Sequence, residues 1–167
     1  MIKTIRKEII YAFIDSQNLN LGVQSQGWRL DFNRFYFYFK EKYKVDIAFL
    51  FIGYIPKNKS LYNSLEKIGY RLIFKPVVRP ERHNKKIKGN IDAELVLHSM
   101  IEFPNYDKAI IVSGDGDFYC LIDYLFKKNK LYKIIAPNQK YSSLLRGFSS
   151  FILNISFLRS KLEYKKR

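Results

Sequence analysis

Four aspartates occupy the positions in this sequence where side chains are best placed to do chemistry. Asp15 ends the apolar run Ile9 to Ile14, Asp115 and Asp117 follow a second apolar run, and Asp92 falls in the first turn of a predicted helix. Carboxylates that are brought together repel each other unless a cation lies between them. Because oxygen ligands suit hard cations, the sequence predicts that all four bind Mg²⁺ or Mn²⁺.

Strand-like and helix-like segments alternate along the chain, and this order decides where the acids lie. Such alternation is typical of a parallel sheet covered by helices. We therefore expect an α/β fold, a three-layer α/β/α Rossmann-like sandwich with a mostly parallel central sheet of five or six strands. Ligands of such sheets bind beyond the carboxyl ends of the strands, where Asp15 and Asp115 stand. The predicted strands are 9–14, 46–54, 70–75, 108–113, 132–136 and 151–155, and the predicted helices are 31–43, 58 or 60 to 69, 90–103, 118–128 and 142–148.

The acids after the second apolar run have a simpler alternative. Either Asp115 or Asp117 alone could serve as the N-cap of the following helix. Two acids that flank Gly116 exceed what one cap requires, however. Gly114 and Gly116 also allow the backbone to turn tightly and to approach a ligand. This pair therefore favours a binding turn over a simple cap.

Asp92 is the acid whose position on a helix carries independent information. It lies off the predicted polar stripe and shares a face with residues such as Val96, Ser99 and Phe103. A carboxylate turned toward an apolar face costs free energy unless it has a partner, which favours a functional role. The alternative is a first-turn acid that the helix dipole stabilises while its head reaches water. The residues predicted to form the solvated stripe are Glu94, His98 and Glu102.

Asn18 lies three residues after Asp15 and has two open interpretations. Its side chain could orient a water molecule or touch a substrate, or it could cap or turn the chain. The sequence alone favours neither interpretation.

The overall charge points to the class of partner. A net charge of +15 at pH 7 attracts polyanions, of which nucleic acid is the commonest. No apolar run approaches the ~20 residues of a membrane-spanning helix, and no signal-peptide cleavage site is visible, so we expect a cytoplasmic protein without a membrane partner. Cys120 is the only cysteine, which excludes an internal disulfide and a cysteine-based zinc site within the chain. Neither a GxGxxG nor a GxxxxGK[ST] pattern occurs, so no nucleotide cofactor is expected.

Basic and aromatic residues provide candidate contacts to a nucleic-acid substrate. Lysines just upstream of Asp92 could hold phosphates, although a solvated basic loop is at least an equal alternative for each of them. Aromatic rings could stack on bases, with core packing as the alternative. The candidates are Lys85, Lys86, Lys88 and Ser113 for polar contacts, where Ser113 could equally form a turn, and Trp28, Tyr36 and Tyr38 for stacking.

Three segments of the chain resemble, in order, the three motifs of NYN domains. They are Phe13–Leu19, Lys88–Asp92 and Ser113–Phe118. The closest resemblance is to the LabA-like group of this family, within the PIN-like nuclease superfamily, and it covers roughly residues 9 to 155. Each motif alone is short, but the three in order are specific. The resemblance implies a PIN-like fold and a metal-dependent ribonuclease site.

By motif position, the resemblance assigns roles to individual residues. It implies a catalytic and metal-binding cluster accompanied by a catalytic asparagine, with Mg²⁺ or Mn²⁺ as the cofactor and RNA as the partner. In two places the chain departs from the family pattern. Position 16 is serine where many relatives have glycine, and the segment 145–151 has no acid where relatives commonly have an Ala-Asp pair. The implied residues are Asp15, Asp92, Asp115 and Asp117 for the cluster and Asn18 for the asparagine.

The expected activity is hydrolysis of phosphodiester bonds in single-stranded RNA. The main alternative is an RNA-binding regulatory module with little or no nuclease turnover, and a DNA-directed nuclease is a second one. We expect one nuclease domain over residues 1–158, followed by a basic, solvated C-terminal tail over 159–167. Whether the chain forms a homodimer is left open by the sequence.

Overall fold

Six parallel strands form the centre of the computed structural model, which describes residues 6–75 and 91–166. Every strand pair within this sheet is parallel, and the order is β3-β2-β1-β4-β5-β6. The chain therefore builds one half of the sheet outward from β1 and the other half outward from β4. The predicted fold class is confirmed. In chain order, β1 to β6 span Ile10–Asp15, Ile47–Gly53, Arg71–Lys75, Lys108–Val112, Leu131–Ala136 and Ile152–Asn154.

Helices cover both faces of the sheet and form the outer layers. Buried residues of α1, α2, α3 and α6 pack on one face, and those of α4, α5 and the segment 143–151 pack on the other. Within the described ranges, no helix is both long enough and apolar enough to cross a membrane. The α-helices α1 to α6 span Ser16–Gln24, Phe32–Tyr43, Lys59–Ile68, Ile91–Ile101, Tyr119–Lys127 and Arg159–Leu162, and 3₁₀ helices span Pro56–Asn58, Phe103–Asn105, Gly116–Phe118, Ser143–Phe151 and Ile155–Leu158.

The unbroken apolar sequence of β1 follows from its central place. Ala12 and Ile14 point into the core under α1 and α2, whereas Tyr11 and Phe13 point into the core under α4 and α5. Side chains alternate between the two faces of a strand, so a strand covered on both faces has apolar residues at every position. The strand ends in Asp15, which is also buried.

Helix α1 was not predicted, because most of its residues are polar. Asp15 caps it by accepting a hydrogen bond from the backbone N–H of Asn18. Its buried face is narrow, with Leu19 and Val23 one helical turn apart. A carboxylate followed by apolar residues at this spacing is the signal that could have identified the helix.

The predicted polar stripe on α4 is wrong. Glu94 and His98 are half-buried, and the ring of His98 lies 5.8 Å from that of Phe51. The exposed side chains include Leu97 and Ile101 instead. The opposite face agrees with the sequence prediction, since Ser99 is buried and Val96 and Phe103 pack against the core.

The prediction of a solvated C-terminal segment is wrong for Leu162, which is 1% exposed and belongs to the core. The backbone N–H of Asp31 donates to the carbonyl of Leu162, and that of Tyr164 donates to the carbonyl of Arg29. These bonds attach the segment to the loop before α2. The segment after residue 158 thus completes the core on this face of the sheet.

Candidate metal centre

The predicted acids lie at the carboxyl edge of the two central strands. β1 and β4 are neighbours, with Ile14 paired with Val112. Asp15 is therefore the last residue of one strand, and Asp115 lies in the turn beyond the other. The strand order reverses between these two strands. Such a switch point is where open parallel sheets place their ligands.

Three of the four predicted ligands come together at this point. One carboxylate oxygen each from Asp92, Asp115 and Asp117 can be chosen so that all lie within 4.8 Å of one another. Asp92 and Asp115 are half-buried, and Asp117 is exposed. We call these three residues the acid cluster. Asp117 is its most exposed member.

Asp15 lies deeper than the acid cluster and is not a member of its 4.8 Å group. Only 4% of the residue is exposed. The pKa of its carboxyl is raised to about 6, chiefly because the group is buried; the hydrogen bond from the N–H of Asn18 opposes the rise, and the charges of Asp92 and Asp115 add to it. Because the charges of Asp92 and Asp115 both act on its carboxyl, Asp15 lies next to the acid cluster, on the buried side. Of the four predicted ligands, the structure groups three carboxylates closely and places Asp15 as their buried neighbour, and the role of all four in metal binding stays a prediction.

The turn that carries Asp115 is held by its own side chains. The Oδ1 atom of Asp115 accepts from the N–H of Asp117 at 3.0 Å, and the N–H of Asp115 donates to Ser113 Oγ at 3.1 Å. Asp115 is thus also the cap that the simpler interpretation expected. A carboxylate has two oxygens with several lone pairs, so capping and metal binding are compatible. Ser113 is buried and shapes the turn, which is the second of its two predicted roles.

Gly116 explains why this turn fits against the segment that follows β5. A Cβ atom at this position would lie 2.4 Å from Ser142 Oγ, which is too close for any side chain without movement. The N–H of Ser142 also donates to the carbonyl of Gly114. Gly116 therefore leaves room for the side chain of Ser142, and this packing together with the backbone hydrogen bond holds the turn in place.

Asn18 connects the two strands that carry the acids. Its Oδ1 accepts from the backbone N–H of Gly114 at 2.9 Å, while its own N–H donates to Asp15 Oδ1 at 3.0 Å. The sequence left its role open between substrate contact and local capping. The structure adds a third role, in which Asn18 fixes the β4 turn relative to the end of β1.

Replacing Asn18 by alanine is expected to destabilise the protein by about 1–3 kcal/mol, because the N–H of Gly114 loses its acceptor in a buried place. Chemical denaturation in EDTA measures this loss without any contribution from metal. Asn20→Ala is the matched control, since among the described residues the Asn20 side chain accepts just one long hydrogen bond, at 3.5 Å from Gln24 Nε2. Equal midpoints for Asn18→Ala and the wild type would contradict the connecting role.

Comparison with known proteins identifies the family. The sequence model of the NYN domain matches residues 10–155, a range that contains all four acids. The chain belongs to the NYN domain family. A relative from Synechococcus elongatus, the Low amplitude and bright protein LabA, is 24% identical over 170 residues, which cover 97% of this chain and 91% of the relative. A crystal structure of a protein of unknown function from Vibrio parahaemolyticus is similar in fold, with a TM-score of 0.77 and 24% identity over 97% of this chain and 99% of that one.

The predicted substrate contacts of this NYN domain divide into three groups. Ser113 lies in the turn, as described above. Trp28 is buried at 5% exposure, and Tyr36 and Tyr38 are half-buried and pack against the core around α2, so these rings take the packing alternative. The three lysines fall outside the described residues and stay predictions: Lys85, Lys86 and Lys88.

Two exposed rings that the sequence interpretation missed lie at the same edge of the sheet as the acid cluster. Tyr54 follows the end of β2 directly, and Phe74 is the penultimate residue of β3. They are 42% and 38% exposed. Their position at the carboxyl ends of predicted strands is a signal that the sequence already contained.

Proposed function

We propose that this NYN domain is a metal-dependent ribonuclease that hydrolyses phosphodiester bonds in single-stranded RNA. The observation that supports this most strongly is the acid cluster, with carboxylate oxygens within 4.8 Å of one another at the switch point of the sheet. The protein has only 15 acidic residues against 30 lysines and arginines. Gathering scarce negative charge at one place in such a protein is unfavourable unless a cation is bound there.

The donor set of the acid cluster fits a divalent cation. Its ligand atoms are carboxylate oxygens, which suit Mg²⁺ and Mn²⁺ better than softer metals. Within the described ranges, no lysine or arginine forms an ion pair with Asp115 or Asp117. The cationic side chains of residues 6–75 and 91–166 therefore leave these two carboxylates available to an ion.

The residues of the site divide the work between binding and positioning. Asp92, Asp115 and Asp117 would hold the cation, which would supply positive charge to a scissile phosphate and ease the deprotonation of an attacking water. Asp15 adds negative charge beneath them. Asn18 and Ser113 bind the backbone of the β4 turn and thereby fix the direction of Asp115. Lys85, Lys86 and Lys88 would hold flanking phosphates.

The wild-type protein is expected to cut a 5′-labelled single-stranded RNA in the presence of Mn²⁺ or Mg²⁺ and to leave it intact in EDTA. Denaturing gels over a time course measure the cleavage, and readdition of Mn²⁺ after EDTA should restore it. A single-stranded DNA of the same sequence tests the preference for the sugar. Intact RNA under all metal conditions would overturn the ribonuclease proposal.

An RNA-binding regulatory module with little turnover is the second candidate. The 3₁₀ segment Ser143–Phe151 contains no carboxylate, and the name of the LabA relative describes no enzymatic activity. A net charge of +15 would by itself attract RNA. This candidate predicts binding that weakens steeply with salt, without metal-dependent cleavage, so the same gels and a salt titration separate the two.

A further inference from the structure

Three aromatic rings form a compact patch at the carboxyl ends of β2 and β3. We define this aromatic patch as Tyr54, Tyr62 and Phe74. The ring of Phe74 lies 4.8 Å from that of Tyr62 and 5.5 Å from that of Tyr54, and the two tyrosine rings are 5.8 Å apart. Tyr62 is buried, and the other two rings are partly exposed. Tyr54 and Phe74 therefore expose part of their rings to solvent while they pack on the buried ring of Tyr62.

The base of the patch is fixed by hydrogen bonds. The hydroxyl of Tyr62 donates to the carbonyl of Gly53 at 3.0 Å and accepts from the N–H of Ile55 at 2.8 Å. Both partners belong to the backbone that carries Tyr54. Rings held in this way lose little conformational entropy when they bind a ligand, so binding to them costs less.

The aromatic patch lies close to the acid cluster along the same edge of the sheet. Asp15 is paired with Phe51 on β2, and Phe51 is paired with Ile73 on β3. Phe74 follows one residue later. Two strand spacings, about 10 Å, separate β3 from β1, and three, about 15 Å, separate it from β4, which precedes Asp115 and Asp117. A single nucleic-acid strand that reaches the acids can therefore also reach the patch.

The charge around the patch favours a nucleic acid over another protein surface. Residues 47–75, which carry all three rings, contain a single acid, Glu66. Exposed rings among cations are the combination that binds single strands, because bases stack on the rings while phosphates are attracted to the positive charge. The cations nearest to the three rings along the chain are Lys57, Lys59 and Lys75, whereas Lys67 and Arg71 lie toward the amino end of β3.

We propose that Tyr54 and Phe74 form a base-stacking subsite for single-stranded RNA on the β3 side of the acid cluster. The inference rests on the proposed function for its substrate class. The subsite would hold a nucleotide beside the scissile bond. Because every base has an apolar face, such a subsite binds without strong sequence preference.

Binding of a fluorescein-labelled single-stranded RNA in EDTA, followed by anisotropy, tests the subsite without any cleavage. Tyr54→Ala and Phe74→Ala are each expected to weaken binding by about 5- to 100-fold, the range that follows from stacking on one base. Tyr54→Phe should bind like the wild type because it keeps the ring. Phe37→Ala is the matched control, since it removes a 51% exposed ring from α2. Denaturation midpoints show whether each variant is folded.

A strand of the same length with abasic positions separates stacking from charge attraction. The wild type should bind the abasic strand more weakly, and Tyr54→Ala should bind it as the wild type does. Wild-type affinity for RNA in both alanine variants, or an equal loss on both strands, would overturn the subsite. If the wild type cleaves RNA and these variants bind normally, only the subsite fails. If the wild type binds no RNA, both proposals fail.

Discussion

Metal-dependent RNA cleavage is expected to fall by at least about 100-fold when Asp115 is replaced by asparagine. Loss of a hydrogen bond to a metal ligand already lowers activity by about 10- to 100-fold, and removal of the charge of a ligand itself should lower it more. The substitution keeps the shape of the side chain. The amide oxygen of asparagine can still accept from the N–H of Asp117, so the turn remains capped. Initial cleavage rates at saturating Mn²⁺ and calorimetric Mn²⁺ titrations measure the two consequences.

Asp107→Asn is the matched control for this experiment. Asp107 precedes β4, at the opposite end of the strand from Asp115, and its Oδ2 accepts from the N–H of Ile9. Asparagine can preserve that bond as well, so both variants lose one charge and keep one backbone contact. Asp107→Asn should cleave like the wild type. Full cleavage by Asp115→Asn, or equal losses in both variants, would remove the acid cluster from the reaction.

Asp15→Asn is expected to stabilise the metal-free protein at pH 7.5 by an amount on the order of 3 kcal/mol, from the pKa shift between 3.8 and about 6. Because burial raises the pKa, the folded state binds a proton more tightly than the unfolded state. The stability of the wild type therefore decreases as the pH rises from about 4 to about 6 and then stays constant. Asparagine does not ionise and remains a good N-cap for α1.

Denaturant unfolding in EDTA at pH 4 and pH 7.5 measures this difference. The variant should exceed the wild type at pH 7.5, and the two should converge near pH 4. Asp31→Asn, which makes the same substitution at the N-cap of α2, controls for the change of cap. Saturating Mn²⁺ should reduce the difference in stability between variant and wild type, because the cation binds more tightly, and so stabilises more, where the negative charge of Asp15 is present. A variant less stable than the wild type at pH 7.5 would show that burial of the Asp15 charge is not costly.

The sequence predicted the central strands and the placement of the acids because those features depend on short-range patterns. β1 is apolar from Ile10 to Ile14, a pattern that a strand covered on both faces requires. Asp92 was predicted to share a face with Ser99, and Ser99 is fully buried. Gly114 and Gly116 marked a turn whose backbone approaches the following segment closely. In each case the residue types themselves carry the constraint.

Other features depend on contacts that no local pattern contains. Glu94 and His98 have the spacing of a solvated stripe, yet α4 is rotated so that His98 packs beside Phe51. Trp28 was a candidate for stacking on bases, but it is buried in the core between the sheet and helices α1 and α2. The depth of Asp15 relative to the acid cluster is set by the pairing of β1 with β4. These outcomes follow from tertiary packing, which overrides periodicity.

The placement of β1 beside β4 has a consequence for the growing chain on the ribosome. Asp15 is synthesised early, and its counterparts at 115 and 117 follow about a hundred residues later. Contacts of such long sequence separation form late in folding. A nascent chain therefore carries no complete acid cluster until residues 115 and 117 have emerged and β4 has inserted beside β1.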